Sequence, residues 1–452
     1  MVTQERIQIS KLWTLVAACV LASIAGCSAT QPVTTRQPQA LAVTADRVHR
    51  VSTAVPFPRG LVIVDGNLFV LARGRVREAG GADGSIDDRA GTIYCVDPDV
   101  GQPVSATVIG DEVRTNARVF AAPTEPPFKL FDRTKVPAVS DRETDRPYCG
   151  LRYDPGTKNF YICAFSGIDK PDYSGDPSSF SKNLNDGVLR FDTRDKQWHI
   201  VERHNLEKGG IYPHHDVSSS QPPHGWLNGP DNCLVIGRWL YCVAKDNSLL
   251  VRYDLLSISQ DPAAPPPPSD WVLDDRLAMK NGQIEQHLGH SMLAYRDSYL
   301  YIGYRTSSTI VRILLDDNGL PVQPIVGEMI ARFDPYDPRT RKSANLTDMV
   351  FGPDGDLYVV SAQPARVYRF RPDPGHVFDG RAGRAAPWAD MAELTDNPRM
   401  KSENLLVDER GRVFVTSGDA YSFQAGAGGT VYRIDPARPE SSRGFALAGA
   451  LP

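Results

Sequence analysis

Polar side chains recur at one matching position in a series of similar sequence segments. The segments begin with PRG, YCG, PDN, GHS, LTD and SEN, and four of them supply Asn232, His290, Asp348 and Asn404 at that position. Carboxylate and amide oxygens are the ligands that a hard cation such as Ca²⁺ prefers. If the fold brings the segments together, the sequence predicts a divalent-cation site. The alternative is that these groups cap strand ends and bind water.

The predicted site divides into metal ligands and catalytic groups. Asn232, Asp348 and Asn404 are the predicted ligands, and calcium is the predicted cation. His290 can act as a general base near neutral pH, and Asp348 is the second predicted catalytic residue. This set of residues would suit metal-assisted hydrolysis.

Two charged residues of the same series bear on that prediction. Arg59 follows Pro58 in PRG, and Glu403 lies in SEN. A guanidinium repels a metal cation, whereas it favours an anionic ligand or a salt bridge to Asp348 or Glu403. Arg59 and Glu403 are therefore also predicted to bind a ligand.

Histidines and a tryptophan lie in the segment that leads into PDN. The string YPHHDVSSSQPPHGWLNGPDN contains His214, His215 and Trp226. The histidines could bind a transition metal or accept a proton, and the indole could form an apolar wall for a ligand. The alternative is that they are solvated loop residues. The predicted ligand-binding residues are Arg59, His214, His215, Trp226 and Glu403.

The elements that would position these residues are repeated strand units. The strings LTDMVFGPDGDLYVVSAQPARVYRFRPD and ENLLVDERGRVFVTSGDAYSFQAGAGGTVYRIDP each contain two short apolar runs joined by a tight turn and a third run. Such a repeat, written six times, predicts an all-β fold, a six-bladed β-propeller with four-stranded antiparallel blades. The first strands are predicted to begin near Gly60, Cys149, Asn232, His290, Thr347 and Glu403. Residues 47–53 (RVHRVST) are predicted to add the outer strand that closes the ring.

Third strands carry an arginine in one register. The series is Arg190, Arg252, Arg312, Arg369 and Arg433. A basic ring for binding is one interpretation. We favour a structural one, in which each arginine covers a blade edge with its stem and meets a turn carboxylate, because third strands lie away from the axis.

The N-terminal residues have the order of a secretory signal. Arg6 and Lys11 precede an apolar stretch at residues 12–26, which is shorter than the roughly 20 residues of a spanning helix. In LASIAGCS a small pair precedes Cys27, and this string resembles a bacterial lipoprotein cleavage box. The resemblance implies cleavage before Cys27, lipidation of that residue and an anchor in an envelope membrane. An ordinary signal peptide is the alternative.

The predicted domains follow from these features. Residues 1–26 form a lipoprotein signal peptide, residues 27–46 carry the lipidated Cys27 and a flexible tether, and residues 47–452 form the propeller. We expect the protein at the bacterial cell envelope, facing the periplasm or the exterior. Its predicted partners are the envelope membrane and a small molecule or protein.

The remaining cysteines predict two disulfides within blades. In CLVIGRWLYC a two-residue turn brings Cys233 opposite Cys242, and Cys149 and Cys163 flank a looser hairpin. Disulfides are expected in an oxidising compartment. The alternative is a zinc site, although no CxxC spacing exists. Cys95 is predicted to be an unpaired, buried apolar residue.

Composition and motifs exclude several classes of function. The formal net charge of −4 and the pI near 6.2 show no excess of basic residues, so we expect no nucleic-acid partner. No GxSxG, P-loop, HExxH or CxxCH string appears, so serine hydrolase, nucleotide-binding and c-type haem functions lack a motif.

The blade pattern resembles six-bladed propellers of the NHL and gluconolactonase (senescence marker protein 30-like) type. The resemblance covers most of residues 60–440 and is carried by strings such as PDNCLVIGRWLYCV and LTDMVFGPDGDLYVVS. It implies an axial divalent cation held by Glu, Asn and Asp, with Asn232 similar to the Asn ligand and Asp348 to the Asp. The chain departs from the family at Arg59, where the family has its Glu.

Two functions remain open from the sequence. The first is a cell-envelope module that binds a ligand or protein partner at the face where the first strands begin. The second is a metal-dependent hydrolase of lactone or ester substrates. Arg59 favours the first. A quinone-cofactor sugar dehydrogenase is a third possibility, supported only by the histidines.

Overall fold

The computed structural model describes most of the predicted propeller. The described residues are 42–72, 91–122, 148–164, 187–203, 230–244, 249–258, 269–273, 276–286, 289–305, 307–334, 345–373, 375–398, 400–417 and 429–437. All of them belong to the compact unit Ala40–Pro452. None of the helices in these ranges has the length and apolar character needed to cross a bilayer.

Strands make up almost all of the regular structure. In chain order the first fourteen are β1 (Val48–Ser52), β2 (Pro58–Val64), β3 (Asn67–Ala72), β4 (Ile93–Val96), β5 (Gln102–Pro103), β6 (Arg118–Ala121), β7 (Tyr148–Asp154), β8 (Asn159–Ala164), β9 (Gly187–Asp192), β10 (Trp198–Arg203), β11 (Pro230–Ile236), β12 (Trp239–Ala244), β13 (Leu249–Asp254) and β14 (Ser269–Leu273). The others are β15 (Arg276–Met279), β16 (Ile284–Gln286), β17 (His290–Arg296), β18 (Tyr299–Tyr304), β19 (Thr309–Leu314), β20 (Val326–Arg332), β21 (Leu346–Phe351), β22 (Leu357–Ser361), β23 (Arg366–Phe370), β24 (Phe378–Asp379), β25 (Ala389–Asp390), β26 (Ser402–Val407), β27 (Val413–Ser417) and β28 (Thr430–Ile434). The helical pieces are a 3₁₀ turn at Ala45–Arg47 and short α-helices at Asp111–Thr115 and Met391–Leu394.

The strands form six antiparallel four-stranded blades, as predicted. Blade 1 is β2-β3-β4-β6, blade 2 is β7-β8-β9-β10, blade 3 is β11-β12-β13-β14, blade 4 is β17-β18-β19-β20, blade 5 is β21-β22-β23-β25 and blade 6 is β26-β27-β28-β1. The first strand of each blade, β2, β7, β11, β17, β21 and β26, is its inner strand. Each inner strand contacts that of the next blade, and β26 contacts β2, so the ring is closed.

Local turn chemistry explains why the units fold as the sequence indicates. In blade 3, Ile236 pairs with Trp239 across a two-residue turn, and Gly237 has a φ of +57°. Hairpin turns of this length need positive φ, which glycine adopts without steric cost. The six inner strands begin within two residues of the predicted positions.

The N-terminal strand closes the ring by pairing with the last blade. Val48 lies opposite Ile434, so β1 is the outer strand of blade 6, and this confirms the prediction for residues 47–53. The short strand β5 of the blade 1 connection then pairs with β1. Blades 1 and 6 are thus joined by backbone hydrogen bonds from both sides of β1, which leaves no open edge there.

The hydrophobic core is divided among the seams between blades. Each of six buried apolar clusters joins residues of two adjacent blades. In the seam between blades 1 and 6, for example, Leu68 packs in the same cluster as Phe414, and both are fully buried. The apolar packing therefore lies between blades, while the axis is left to polar side chains.

Blade 4 carries additional strands at its outer side. The hairpin β15-β16 joins it because β15 runs parallel to β20, and β24 also pairs with β20 in parallel. The hairpin β15-β16 belongs to the connection between blades 3 and 4, and β24 lies between the third and fourth strands of blade 5. They leave the inner strand β17 and its ladder with β18 intact.

The arginines of the third strands, here called the rim arginines, contact turns and aromatic rings. Arg369 donates to Asp354 and Asp356 at 2.9 Å each. Arg252 lies 3.6 Å above the centre of the Trp239 ring and donates to a carbonyl oxygen of the next blade. The contacts of Arg369 and Arg252 support the structural interpretation, whereas Arg312 pairs with Glu328 on the neighbouring strand β20.

The two disulfides predicted within blades are not formed. None of the five cysteines in the described ranges is in a disulfide. Cys233 does lie directly opposite Cys242 in the ladder, as the turn predicted. Cys149 and Cys163 of blade 2, however, lie in one buried cluster with Cys233 and Cys242 of blade 3. The cysteines therefore meet across a seam, which a count of residues within one hairpin cannot show.

Candidate functional site at the propeller axis

Every inner strand begins with an irregularity that turns polar side chains toward the axis. The ladders of all six shift register near their first residues. In β26 the shift lies between Ser402 and Leu405. A β-bulge sets two residues of one strand against one of its partner and changes the direction of their side chains. Glu403 and Asn404 are therefore both buried, although they are neighbours in sequence.

Close approach of the inner strands also depends on glycine. A Cβ added at Gly60 would lie 2.4 Å from Cβ of Leu151 in the next blade. A Cβ added at Gly150 would lie 3.0 Å from Oδ1 of Asn232, one blade further on. Any larger residue would push these strands apart, so the two glycines allow the polar groups to meet.

Asp348 lies at the centre of the first group of contacts. Its Oδ1 accepts from Nδ2 of Asn232 at 3.0 Å, and its Oδ2 accepts from Nδ2 of Asn404 at 2.9 Å. The backbone amides of Met349 and Leu405 also donate to the carboxylate. The three predicted metal ligands thus come together from blades 3, 5 and 6.

Arg59 lies at the centre of the second group. Its guanidinium is 2.9 Å from Asp231 Oδ1 and 3.7 Å from Glu403 Oε2, and the side chain is 5% exposed. Burial by itself lowers the pKa of Arg59, but the attraction of Cys149, Glu403, Asp231 and Asp348 outweighs it, and the pKa is raised. The guanidinium is therefore a permanent positive charge inside the ring.

Two further cations complete the site, and the sequence series did not include them. Arg152 Nη2 is 3.5 Å from Asp348 Oδ1, and Lys401 Nζ is 3.3 Å from Glu403 Oε1. Each lies within three residues of a predicted strand start, Arg152 after Cys149 and Lys401 before SEN. That proximity is the signal that could have found them.

These residues form one charge-balanced group, here called the axial cluster. Its members are Arg59, Arg152, Asp231, Asn232, Asp348, Lys401, Glu403 and Asn404. Three cationic side chains face three carboxylates, so the formal charges cancel. Buried carboxylates require such neutralisation, because an uncompensated charge inside a protein costs several kcal/mol.

The axial cluster does not fit a calcium ion. Both amides turn their NH₂ groups, not their oxygens, toward Asp348, and Oδ1 of Asn232 accepts from the Cys233 amide at 2.9 Å. Calcium needs oxygen ligands, and the buried guanidinium of Arg59 supplies the compensating positive charge instead. Among the described residues, no group of three or more His, Cys, Asp or Glu is placed to hold a metal ion.

Some hydrogen-bonding capacity at the inner strands is unused. The atoms without a partner include Arg59 Nε, Ser291 Oγ, Ser402 Oγ and Asn404 Oδ1, and all four residues are buried. A buried polar atom gains free energy when a water or ligand supplies the missing bond. The unused groups, both donors and acceptors, could therefore hold water or a small polar ligand.

The other predicted site residues lie outside what the structure describes. His290 begins β17 and pairs with Tyr304, which places its backbone on the ring of inner strands, but its side chain is outside the described set. The predicted ligand-binding residues His214, His215 and Trp226 and the predicted lipidation site Cys27 also lie outside the described residues.

Comparisons with known proteins agree with the fold. No family model and no curated protein matches the chain. Among solved structures, it is similar to the PQQ-bound aldose sugar dehydrogenase of Streptomyces coelicolor, with 14% identity over 85% of this chain and 96% of that one and a TM-score of 0.43. A glucose dehydrogenase-like oxidoreductase of Thermus thermophilus has 13% identity over 85% and 98%, with a TM-score of 0.44. The calcium-binding protein regucalcin of Agrobacterium tumefaciens has 9% identity over 88% and 95%, with a TM-score of 0.41. The strand topology itself shows the six-bladed β-propeller, and the structural neighbours include a regucalcin, in agreement with the resemblance to the senescence marker protein 30-like type.

Proposed function

We propose that this protein is a membrane-anchored cell-envelope lipoprotein that binds a ligand or protein partner at the face of the propeller where the inner strands begin. The observation that carries the proposal is the position of Arg59, whose guanidinium bridges Asp231 and Glu403 at the axis. A metal-dependent hydrolase needs an open cation site with free oxygen ligands. Here the carboxylates are already neutralised by the protein, so the propeller serves recognition.

Strand direction supports the choice of face. Tight turns such as the one at Gly237 join the first and second strands of each blade at the opposite face. Because the strands are antiparallel, the connections between second and third strands, and from one blade to the next, return to the inner-strand starts. The longest of these connections span residues 73–92, 122–147, 165–186 and 204–229. Binding residues are commonly carried on long connections held by a rigid scaffold.

The first strand enters the propeller away from the proposed binding face. Because β1 runs antiparallel to β28, Val48 enters blade 6 at the face opposite to the inner-strand starts.

Calcium-dependent melting separates binding protein from hydrolase. We expect no change in the melting temperature of the purified protein with calcium, manganese or zinc, since a cation bound to the native state would raise it. A rise that Asp348→Ala abolishes, together with turnover of a lactone, would overturn the proposal in favour of the hydrolase. The hydrolase stays a second candidate because Asn232, Asp348 and Asn404 do converge. It would require both amides to rotate.

The anchor has its own test. Cys27→Ser should move the protein from the membrane fraction to the soluble fraction and abolish incorporation of labelled palmitate. Cys19→Ser, a change within the predicted signal, serves as the matched control and should leave both unchanged. If the wild-type protein is found without lipid, the anchored part of the proposal fails.

A further inference from the structure

A groove lies between blades 5 and 6 on the face opposite to the inner-strand starts. The turn between β21 and β22 and the turn between β26 and β27 both contribute to it. It is here called the turn-face groove, and its lining includes Arg47, Asp354, Tyr358, Arg369, Trp388 and Glu409. Its volume is about 520 Å³, within the roughly 300–1,000 Å³ of small-molecule sites. A ligand would fit there without touching the axial cluster.

Aromatic rings form the apolar part of the turn-face groove. Trp388 and Tyr358 meet edge to face, with their ring centres 5.5 Å apart. Both residues are more than nine-tenths buried and belong to the apolar cluster in the seam between blades 5 and 6. The packing of the two blades therefore fixes the rings, and a weakly polar face of a ligand can rest on their accessible parts.

Arginines bring hydrogen-bond donors to the groove. Arg47 Nε and Nη2 donate to the carbonyl oxygen of Asp435 at 2.9 and 2.7 Å. Arg369 Nε and Nη2 donate to Asp356 and Asp354 at 2.9 Å each. Within the described part of the chain, Nη1 of either arginine makes no hydrogen bond. Each head group is thus held by two bonds and keeps donors for a ligand, which lowers the entropy cost of binding.

The groove carries charges of both signs. Arg410 is a third arginine in its lining, and the carboxylates are those of Asp354 and Glu409. The carboxylates would repel an anionic ligand, and the guanidiniums would repel a cationic one. The groove therefore suits a neutral ligand that both donates and accepts hydrogen bonds.

Hydroxyl groups meet that requirement. A hydroxyl has one donor and two acceptor lone pairs, so it can donate to a carboxylate while it accepts from a guanidinium. A sugar ring carries several hydroxyls around its edge and has a face of C–H groups that can pack against an aromatic ring. An aliphatic ligand would instead displace water from the charged groups without replacing its hydrogen bonds.

We propose that the turn-face groove binds a neutral saccharide. The C–H face of one sugar ring packs on Trp388 and Tyr358, and its hydroxyls accept from Arg47 and Arg369 and donate to Glu409. This inference goes beyond the proposed function and does not depend on it, because the groove lies on the face opposite to the inner-strand starts.

NMR spectroscopy of the full chain tests the site, with cellobiose, maltose and chitobiose as probes. Saturation transfer from the protein should reach at least one of the three disaccharides. That sugar should also shift the indole N–H signal of Trp388, and the signal of Trp239 in blade 3 should stay unchanged as the control. Absence of transfer to all three sugars would overturn the inference. A shift that spares the Trp388 signal would do the same.

Charged sugars test whether the ligand is neutral. Glucose, glucuronate and glucosamine share one ring but carry no charge, a negative charge and a positive charge. Glucose should displace the bound disaccharide at a lower concentration than either charged sugar, since each of these meets repulsion in the groove. Displacement by glucuronate or glucosamine at an equal or lower concentration would contradict the inference.

Variants test the arginines as donors. Arg47→Met and Arg369→Met should each raise the Kd of the disaccharide about tenfold, because a hydrogen bond from a charged group is lost. Arg384→Met changes an exposed arginine outside the groove and should leave the Kd unchanged. An unchanged Kd in both groove variants would overturn the assignment. If a variant fails to fold, the Trp388 signal of the wild type still decides whether the groove is the site.

Discussion

Arginine occurs in two regions of this propeller, and the regions treat it differently. At the axis Arg59 is almost fully buried, and its guanidinium faces carboxylates supplied by blades 3 and 6. At the rim Arg369 is 27% exposed and meets carboxylates of a turn in its own blade. Water can replace the partner of an exposed arginine, whereas nothing replaces the partner of a buried one. We infer that the charge of the buried Arg59 stabilises the ring, whereas that of the partly exposed Arg369 contributes little.

The largest loss in the free energy of unfolding is expected for a substitution of Arg59. Arg59→Met removes the cation between Asp231 and Glu403, and the buried carboxylates then lack compensation. The free energy of unfolding should fall by about 3–5 kcal/mol, measured by urea denaturation. Arg369→Met makes the same change at the rim and should cost less than about 1 kcal/mol. Equal losses in the two variants would remove the distinction between the regions.

A second contrast uses two aspartates. Asp348→Asn keeps the shape of the side chain but sets an amide against the NH₂ groups of Asn232 and Asn404. We expect a loss of about 2–3 kcal/mol in the free energy of unfolding, because buried donors lose a charged acceptor. Asp354→Asn at the turn beside Arg369 should cost less than about 1 kcal/mol. A loss below that value for Asp348→Asn would show that the carboxylate is not needed at the axis.

A substitution of Arg433 tests whether burial or distance from the axis decides how much stability is lost when an arginine is replaced. It is a rim arginine, yet it is 9% exposed and donates to the carbonyl oxygen of Pro98 in blade 1 at 2.8 Å. Arg433→Met should therefore cost about 1–2 kcal/mol, between the values for Arg369 and Arg59. A loss as small as that of Arg369→Met in the same denaturation measurement would make position, not burial, the deciding factor.

The smallest loss of stability is expected for a partly exposed ion pair in blade 5, Arg381 with Asp379, and it depends on pH. The Arg381 guanidinium, through two hydrogen bonds, lowers the pKa of Asp379 to about 2. A carboxylate whose pKa is lowered on folding contributes stability above its unfolded pKa and loses it as the pH falls through the folded value. Arg381→Ala should thus cost less than about 1 kcal/mol at neutral pH, and this difference should disappear between about pH 4 and pH 2.

The control for that pair is a neighbouring arginine. Arg384→Ala changes an exposed cation in the same segment, and its effect should not vary over that pH range. Acid titration of the unfolding free energy of both variants provides the measurement. A difference for Arg381→Ala that persists at pH 2 would contradict the assignment of the lowered pKa to this pair.

The axial site was only partly predictable from sequence. The alternation of apolar residues predicted strand starts near His290 and Asn232. β17 does begin at His290, and β11 begins two residues before Asn232, at Pro230. The cations Arg152 and Lys401 were missed, because the prediction considered only one matching position in each inner strand. The bulges also bring residues on either side of that position to the axis. The contacts of Asp348 with two amide NH₂ groups and with Arg152 depend on how the blades meet.

Repeated strand periodicity and turn chemistry by themselves determined the six blades and the strand that closes the ring, because alternation and turn preferences act over a few residues. Only the tertiary structure decided which side chains meet at the axis and which cysteines meet across a seam. Arg59 and Asp231 are 172 positions apart in the chain. Their contact follows from the curvature of the ring and the bulge in each inner strand, which no local pattern encodes.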